Sequence, residues 1–314
     1  MRFEDFHGVD ELIGRLKRET GSGDPVHAYL FCGPVGSGKR SLARICARAL
    51  NCYSDGEKPC DLCGSCRRYL AGTHPDHMEL SDQKIIKVDQ VRDVIQWLAT
   101  RSFEGGRKTV LFGNADAMNV QAQNALLKTL EDPPRDVVIF LTAEKPTSLL
   151  PTVLSRVRMM RFSPLSQSGC ARALEKLGIE GARAEQLAEV AQGSVGVALK
   201  LDRDEGFWRM REQVLEALEG IRGPGDVFRA AEGLKAYKGA DVRRVLDMME
   251  QIACAKMEGE ETGRHSGYER IGLPGCGLLE AVMEARRMVE RNVNWQYALE
   301  TLLFSGLRAA GLRE

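Results

Sequence analysis

The sequence lacks an excess of charge of either sign, because its 314 residues include 44 Lys and Arg and 44 Asp and Glu. A balanced chain does not attract nucleic acid with its whole surface, although a local basic patch would be hidden in this total. No run approaches the roughly eighteen apolar residues of a membrane span, and the N-terminal MRFEDFHG has no apolar signal core. We therefore expect a cytoplasmic protein whose main partner is not DNA.

The first half of the chain alternates short apolar, β-prone runs with helical patterns, which predicts a parallel sheet covered by helices. The predicted strands are His27–Cys32, His77–Leu80, Thr109–Phe112, Val137–Thr142 and Arg158–Phe162. The predicted helices between them are Gly38–Leu50, Val88–Thr100 and Ala122–Leu130, the last of which is stopped by Pro133–Pro134.

After Ser163–Pro164 no strand pattern remains, and amphipathic helical periods follow one another to the end of the chain. The predicted helices are Ala182–Gln192, Phe207–Ile221, Val227–Ala236, Ala240–Glu258, Leu278–Arg291 and Trp295–Ala309, with breaks at Gly193, Arg222–Gly225 and Gly272–Gly277. The second half is therefore all-α, and the strongest candidate domain joint lies near Leu201–Glu205. Length alone predicts two or three domains.

A glycine-rich segment, Gly33–Lys39 (GPVGSGK), follows a predicted strand and opens a predicted helix. In that context it predicts a phosphate-binding P-loop rather than a plain glycine turn. The backbone N–H groups at Gly33, Gly36 and Gly38 can curl around phosphate oxygens, and Lys39 supplies a positive charge. The next residue is Arg40, where a Ser or Thr hydroxyl would normally coordinate Mg²⁺.

The acidic half of a nucleotide-hydrolysing site is also missing. An acidic pair should end the neighbouring strand, one carboxylate holding Mg²⁺ and the other polarising the attacking water. Here the strand ends in Gly113 and Asn114, neither of which can act as a general base. Asp116, two residues further on, is the alternative, displaced acid. The sequence therefore predicts a site that at most binds nucleotide without hydrolysing it.

Four of the nine cysteines lie within fifteen positions: Cys52, Cys60, Cys63 and Cys66. Two overlapping C-x₂-C units plus a fourth thiolate can close a tetrahedral site, and Zn²⁺ suits it, with an iron–sulfur cluster as the alternative. A filled S₄ shell leaves no open position, so the metal would be structural. His74 and His77 are predicted to be structural, and the other cysteines (Cys32, Cys46, Cys170, Cys254 and Cys276) are assigned no function.

An ordered series of motifs resembles the bacterial clamp-loader family of AAA+ proteins, the gamma/tau and delta-prime subunits of DNA polymerase III. The series covers about the first two hundred residues, whereas the helical remainder matches the family only in length and character. Its members are His27–Phe31, the P-loop, the cysteine cluster, His74–Asp76, Lys87–Arg92, Asn124–Pro134 and Leu154–Arg156. The resemblance favours zinc over an iron–sulfur cluster for the four cysteines.

The resemblance implies three domains. They are an AAA+ P-loop domain at 1–163, with a five-stranded parallel sheet and the zinc module at 52–66, a helical lid at 164–204, and a C-terminal helical collar at 205–314. Family motors carry Thr after the P-loop lysine, Asp-Glu at the strand end and an arginine in the lid. This chain has Arg40, Gly113–Asn114 and Gly196 there, which resembles the ATPase-silent delta-prime pattern, while Thr142 matches the first polar sensor.

Arg156 is the catalytic element that the resemblance retains. Ser155–Val157 (SRV) is similar to the family's Ser-Arg-Cys motif, whose arginine reaches the γ-phosphate of ATP bound by a neighbouring subunit. Such a finger stabilises charge that develops in the transition state. Val157 replaces the cysteine and is expected to act as packing. The alternative is that Arg156 is a surface arginine that caps the C-terminus of a helix.

These features favour a non-catalytic subunit of the DNA polymerase III clamp loader with no ATPase activity of its own. It would supply Arg156 to a neighbouring subunit of the gamma/tau type, assemble also with a delta-type subunit, and help to load the sliding clamp on primed DNA. Two alternatives remain at this point. One is a gamma/tau-like ATPase motor. The other is a zinc-dependent nucleic-acid-binding module with a vestigial P-loop, although Tyr69 is the one aromatic residue in Cys60–Leu70 on which a base could stack.

Overall fold

The structure is a computed structural model that describes residues 1–6, 9–21, 25–81, 83–263 and 267–311. The chain divides into two compact units, Met1–Lys200 and Leu201–Glu314. The second unit begins within the segment that the sequence identifies as the strongest domain joint. The finer division of the first unit into a P-loop domain and a lid stays a prediction.

The first unit is built around one five-stranded sheet in which every paired strand is parallel. Its strands are β1 (Ala28–Cys32), β2 (His77–Leu80), β3 (Lys108–Phe112), β4 (Val137–Ala143) and β5 (Arg158–Arg161). The spatial order is β2-β3-β4-β1-β5, which places β1 between β4 and β5. The predicted strands are confirmed, with ends that differ by at most one residue.

The two faces of the sheet carry separate cores because side chains alternate along each strand. Tyr29 and Phe31 pack with Leu42 and Phe140 on one face, and Leu30 packs in the cluster on the other. The first cluster includes residues of the first two helices, and the second includes residues of the fourth and fifth. Burial on both faces fits the largely apolar sequences of β1, β3 and β4, all of whose residues are buried, whereas β2 and β5 at the two edges are only partly buried.

Nine helices begin within the first unit: α1 (Asp10–Gly21), α2 (Lys39–Leu50), α3 (Gly64–Leu70), α4 (Val88–Leu98), α5 (Val120–Glu131), α6 (Pro151–Leu154), α7 (Gln167–Lys176), α8 (Ala182–Val190) and α9 (Val195–Asp202). This count covers the described ranges only. The sequence predicts α2, α4, α5 and α8 but not the other five. Four of those five have ten residues or fewer, which is too short for a helical period to be counted reliably.

The regular elements among the described residues of the second unit are all helices, which confirms the all-α prediction. Its helices are α10 (Glu205–Glu219), α11 (Pro224–Leu234), α12 (Ala240–Thr262), α13 (Gly275–Glu290) and α14 (Trp295–Ala309). The predicted break at Gly272–Gly277 is too long, because α13 already begins at Gly275. A Cβ on Gly275 would lie 2.5 Å from the Met257 nitrogen, so this glycine permits close packing of α13 on α12.

None of the helices in the described ranges is long and apolar enough to cross a membrane.

Candidate nucleotide site and metal centre

The P-loop lies at the carboxyl end of β1 and leads directly into α2, the position at which α/β sheets bind phosphate. Gly36 and Gly38 have φ angles of 73° and 85°, a left-handed conformation that side chains disfavour. Gly33 completes the predicted set and donates its N–H to the Ala143 carbonyl at 3.1 Å. The predicted glycines therefore form one tight loop.

Lys39 is turned onto the loop itself. Its Nζ donates to the carbonyl oxygens of Gly33 and Pro34, each at 2.6 Å. The side chain is buried, and burial lowers the pKa of its ammonium group. A lysine that serves a nucleotide points its charge at phosphate oxygens, whereas here Lys39 donates hydrogen bonds to two carbonyl oxygens of the loop.

The N-terminal end of α9 contacts the same loop. The Gly196 N–H donates to the Gly36 carbonyl at 2.9 Å, and the Ser194 hydroxyl donates to the Val35 carbonyl at 2.8 Å. A Cβ on Gly196 would lie 2.6 Å from the Gly36 oxygen and 2.9 Å from its Cα. The position that the family resemblance assigns to an arginine is therefore one that has no room for any side chain.

Arg40 lies where the metal side of a hydrolytic site would be. Its Nη2 donates to the Gly113 carbonyl at 3.3 Å, beyond the end of β3. A Cβ on Gly113 would lie 3.0 Å from Arg40 Nε and 2.6 Å from Ser81 Cβ. A guanidinium therefore occupies the neighbourhood in which an acidic pair and Mg²⁺ would meet, and like charges disfavour a divalent cation there.

Asp116 accepts hydrogen bonds from the segment that follows β4. One carboxylate oxygen accepts from the Glu144 N–H at 2.7 Å, and the other accepts from the Ser148 hydroxyl. These contacts give Asp116 the role of a cap for the turn after β4 rather than that of a water-activating acid. Thr142, the candidate first sensor, is buried in β4 one residue before that strand ends.

A mostly apolar cavity of about 400 Å³ lies beside the loop. Its walls include Phe6 and Val9 of the N-terminal segment and Leu165, Ala173 and Leu199 of the later helical region. A Cβ on Gly38 would lie 2.6 Å from Phe6 Cε1, so the Phe6 ring closely approaches the loop. The wall of the cavity is mostly apolar, whereas Lys39, which would bind phosphate, donates hydrogen bonds to carbonyl oxygens of its own loop.

Arg156 follows α6 and is held on its own chain. Its Nη1 donates to the Thr152 carbonyl at 2.8 Å and is 3.0 Å from the Ser155 hydroxyl oxygen, and its Nη2 pairs with Glu131. The contact with Thr152 is the helix-capping contact that the sequence allows as an alternative. The side chain keeps about a third of its surface exposed, so it is also accessible to a second molecule.

The structure brings Cys52, Cys60, Cys63 and Cys66 together, with all four sulfur atoms within 4.8 Å of one another. A tetrahedral ion with metal–sulfur bonds of about 2.3 Å separates its sulfurs by about 3.8 Å, so the cluster suits such an ion. The N–H groups of Cys60 and Cys63 donate to the sulfurs of Cys52 and Cys60 at 3.3 and 3.4 Å. Such donors stabilise thiolates, which are the metal-binding form.

Hydrogen bonding and burial shift the pKa values of the clustered thiols in opposite directions. Hydrogen bonds from the Cys63 and Leu62 N–H groups lower the pKa of Cys60 to about 6, whereas burial raises the pKa values of Cys52 and Cys66. Thiolates this close repel one another unless a cation lies between them. All nine cysteines are free of disulfides.

His74 and His77 make hydrogen bonds inside the protein. His74 Nδ1 accepts from the Asp76 N–H at 3.1 Å, and its Nε2 is 3.1 Å from the Ser65 hydroxyl oxygen. His77 Nδ1 is 2.9 Å from the Thr109 hydroxyl oxygen, and burial lowers the pKa of His77 to about 4. Among the described residues, the cluster that could hold a metal ion consists of the four cysteines and includes neither histidine.

A family model described as DNA polymerase III, delta subunit, matches residues 8–166. The delta-prime subunit of DNA polymerase III from Bacillus subtilis is 33% identical over 295 residues, which cover 88% of this chain and 89% of that protein. The chain belongs to the delta-prime group of the DNA polymerase III clamp-loader family. With the parallel sheet and the helical second unit, membership confirms the predicted fold class, an AAA+ α/β domain followed by an all-α region.

Further comparisons cover different shares of this chain and of the matched proteins. The delta-prime subunit from Pseudomonas aeruginosa is 41% identical over 208 residues, or 64% of this chain and 62% of that protein. The tau subunit from B. subtilis is 30% identical over 84% of this chain and 47% of its own length. A solved gamma subunit-related protein from Thermotoga maritima aligns over 94% of this chain and 99% of its own, at 17% identity and a TM-score of 0.46.

Sequence reasoning finds the replaced residues of the family's nucleotide site but misses the contacts between them. The contact of Arg40 with Gly113 could be suspected from the sequence, because both positions differ from the residues of the family's motors. The approach of Phe6 to Gly38 and the pairing of Glu131 with Arg156 have no such signal, since each joins segments that are distant in the chain.

Proposed function

We propose that this protein is a non-catalytic clamp-loader subunit of DNA replication. In this proposal it assembles with subunits of the gamma/tau and delta types, supplies Arg156 to the ATP site of a neighbour, and helps to load the sliding clamp on primed DNA. Its location is the bacterial cytoplasm, where replication takes place. The relatives named delta-prime, tau and gamma support the choice of partners.

The observation that carries the proposal is the contact of Arg40 with Gly113, because it puts a fixed cation where Mg²⁺ would be needed. The contacts of the phosphate-binding loop also support a non-catalytic site, since Lys39 donates to loop carbonyls and Gly196 packs on Gly36. Phosphoryl transfer depends on a metal ion and on positively charged groups aimed at the phosphates. We therefore propose that the chain neither holds nucleotide tightly nor hydrolyses it.

The assignment of Arg156 rests on the family motif and on access. The guanidinium is partly exposed and follows a four-residue helix that fixes its backbone. A planar cation in such a place can contact a phosphate carried by another subunit. We propose this use in trans, with the contact to Thr152 as the resting arrangement of the free chain.

We propose that the four cysteines hold a structural Zn²⁺. The ion would join Cys52, two residues after the end of α2, to the loop and the short helix α3 that carry the other three cysteines. Ion pairs attach the same excursion to the domain, for example Arg48 with Asp61 at 2.9 Å and Arg68 with Glu104 at 2.6 Å. A filled shell supplies folding energy and no chemistry, so the cluster stays outside the ATP reaction.

A second candidate is a gamma/tau-like motor, which the 30% identity to the B. subtilis tau subunit favours. ATP turnover by the isolated, zinc-loaded chain separates the two functions. We expect no Mg²⁺-dependent hydrolysis above background, and stimulated hydrolysis when the chain is mixed with a gamma-type subunit. Rapid hydrolysis by the chain alone that is abolished in Lys39→Ala would show that it is a motor.

A further inference from the structure

An arginine can act on a phosphate in another subunit only when its guanidinium group is held in a fixed position. Its side chain is long and flexible, and groups that act in catalysis work best when neighbours hold them to within about 0.5 Å. In this chain three acceptors converge on Arg156, two on Nη1 and one on Nη2. The question is which of them fixes the side chain.

The two acceptors on Nη1 belong to the same turn as Arg156, since they are the Thr152 carbonyl and the Ser155 hydroxyl. Such local contacts move with the turn. The Nη2 contact is different, because Glu131 precedes Arg156 by 25 residues and is the last residue of α5. Glu131 is therefore the acceptor that ties the guanidinium to a second element of the domain.

A carboxylate at the C-terminal end of a helix faces the negative end of the helix dipole, which is unfavourable. The ion pair with Arg156 offsets this local cost at Glu131. The next residue, Asp132, lies at the same helix end, and among the described residues it makes no ion pair with Arg156. The two carboxylates thus share a local environment and differ in their contact with Arg156.

The contacts leave the guanidinium able to bind a further acceptor. Arginine has five N–H donors, and the Nη1 pair is used by Thr152 and Ser155 while Glu131 takes one donor of Nη2. Nε is buried without an acceptor in the described part of the chain, and the second Nη2 donor remains. A phosphate oxygen can therefore approach Nη2 without displacing Glu131.

We propose that Glu131 is a positioning residue that holds Arg156 for its action on a neighbour's ATP. This inference rests on the proposed function of Arg156, and it assigns to Glu131 the role of fixing that side chain rather than any contact with ATP.

The test uses the whole complex, assembled from this chain with its gamma/tau-type and delta-type partners, and measures kcat and KM for ATP. Glu131→Gln keeps the size and removes the charge. We expect kcat to fall about three- to fivefold, the upper range of what a partly exposed ion pair supplies, with KM unchanged. Asp132→Asn is the matched control and should leave kcat within about twofold of wild type.

A double-mutant cycle separates positioning from a general effect on the fold. In an Arg156→Ala background, Glu131→Gln should cause no further loss of kcat. The melting temperature and the complex assembly of the double variant should match those of the two single variants. If Arg156→Ala alone leaves turnover unchanged, the proposed finger is wrong and the role of Glu131 is wrong with it. If Arg156→Ala lowers turnover while Glu131→Gln leaves it unchanged or raises it, only the role of Glu131 is overturned.

Discussion

Replacement of Gly196 by alanine tests whether the end of α9 closes the P-loop by direct contact. The added Cβ would lie 2.6, 2.9 and 3.1 Å from the oxygen, Cα and carbonyl carbon of Gly36. Real Cβ atoms essentially never come closer than about 3.0 Å to another heavy atom, and backbone cannot swing aside as a flexible side chain does. The loop or the start of α9 must therefore move.

The expected cost follows from two opposing effects. A glycine-to-alanine change in an unstrained helix stabilises a protein by about 0.4–1 kcal/mol, because the unfolded chain loses freedom. Overpacking of a filled site costs about 1–3 kcal/mol, and movement of α9 also weakens the hydrogen bonds to Val35 and Gly36, worth about 1 kcal/mol each. We expect a net destabilisation of about 1–3 kcal/mol.

Gly14 supplies the matched control within the same unit. It lies in α1, and a Cβ there would meet nothing closer than Arg18 Nη1 at 3.7 Å. Gly14→Ala should therefore stabilise the first unit by about 0.4–1 kcal/mol. By calorimetry on the full zinc-loaded chain, Gly196→Ala should lower the melting temperature of that unit by about 2–10 °C, and Gly14→Ala should raise it by about 1–4 °C.

The reasoning would be refuted if the two variants shifted the melting temperature in the same direction by similar amounts. Such a result would mean that Gly196 behaves as an ordinary helical glycine and that α9 does not bear on the P-loop in solution. Hydrogen exchange at Gly36 and Ser37 gives an independent reading, because exchange there should become faster in Gly196→Ala and stay unchanged in Gly14→Ala.

Three further predictions test other parts of the molecule. Arg156→Ala should leave folding intact and lower ATP hydrolysis by the assembled complex at least about tenfold, and unchanged hydrolysis would remove the finger assignment. Chelation of zinc, or serine at all four ligand positions (Cys52, Cys60, Cys63 and Cys66), should speed hydrogen exchange in residues 51–70 without loss of the sheet; full retention of stability would argue against a structural metal. Burial lowers the pKa of His77 to about 4, so this residue contributes stability that is fully present above about pH 6.5 and is lost as the pH falls toward 4. Denaturant unfolding should show up to about 3 kcal/mol of this loss in wild type and a smaller loss in His77→Asn.

The sheet could be predicted from the sequence largely because its central strands β1, β3 and β4 are buried and rich in apolar residues. Val137–Ala143 is the clearest case, since all seven of its residues are buried. The order of the strands in the sheet cannot be predicted from such a pattern, because strand pairing depends on contacts between distant segments of the chain. The short helices α3 and α6 were not predictable either, since one or two turns are stabilised by their packing rather than by a periodic pattern.

The candidate site was predictable where residues are close in sequence. The P-loop and three of the four cysteines each lie within seven positions, so spacing alone carries the chemistry. The use of Lys39 within the loop was not predictable, because the spacing of the motif does not determine whether the lysine side chain turns toward the loop carbonyls of Gly33 and Pro34. The same holds for Glu131, whose pairing with Arg156 depends on the packing of α5 against α6.

Two pairs of positions in the nucleotide site are packed against each other, Arg40 with Gly113 and Gly196 with Gly36. Gly113 leaves the space that the Arg40 guanidinium uses, and Gly196 leaves the space into which Gly36 fits. An aspartate restored at position 113 would face Arg40 and the Ser81 side chain, so it would pair with the guanidinium instead of binding Mg²⁺. An arginine restored at position 196 would push α9 off the loop while the metal side stayed blocked. Each of these two pairs is thus packed as a unit, so we expect that the motor residue at one position of a pair would not by itself produce a hydrolytic site.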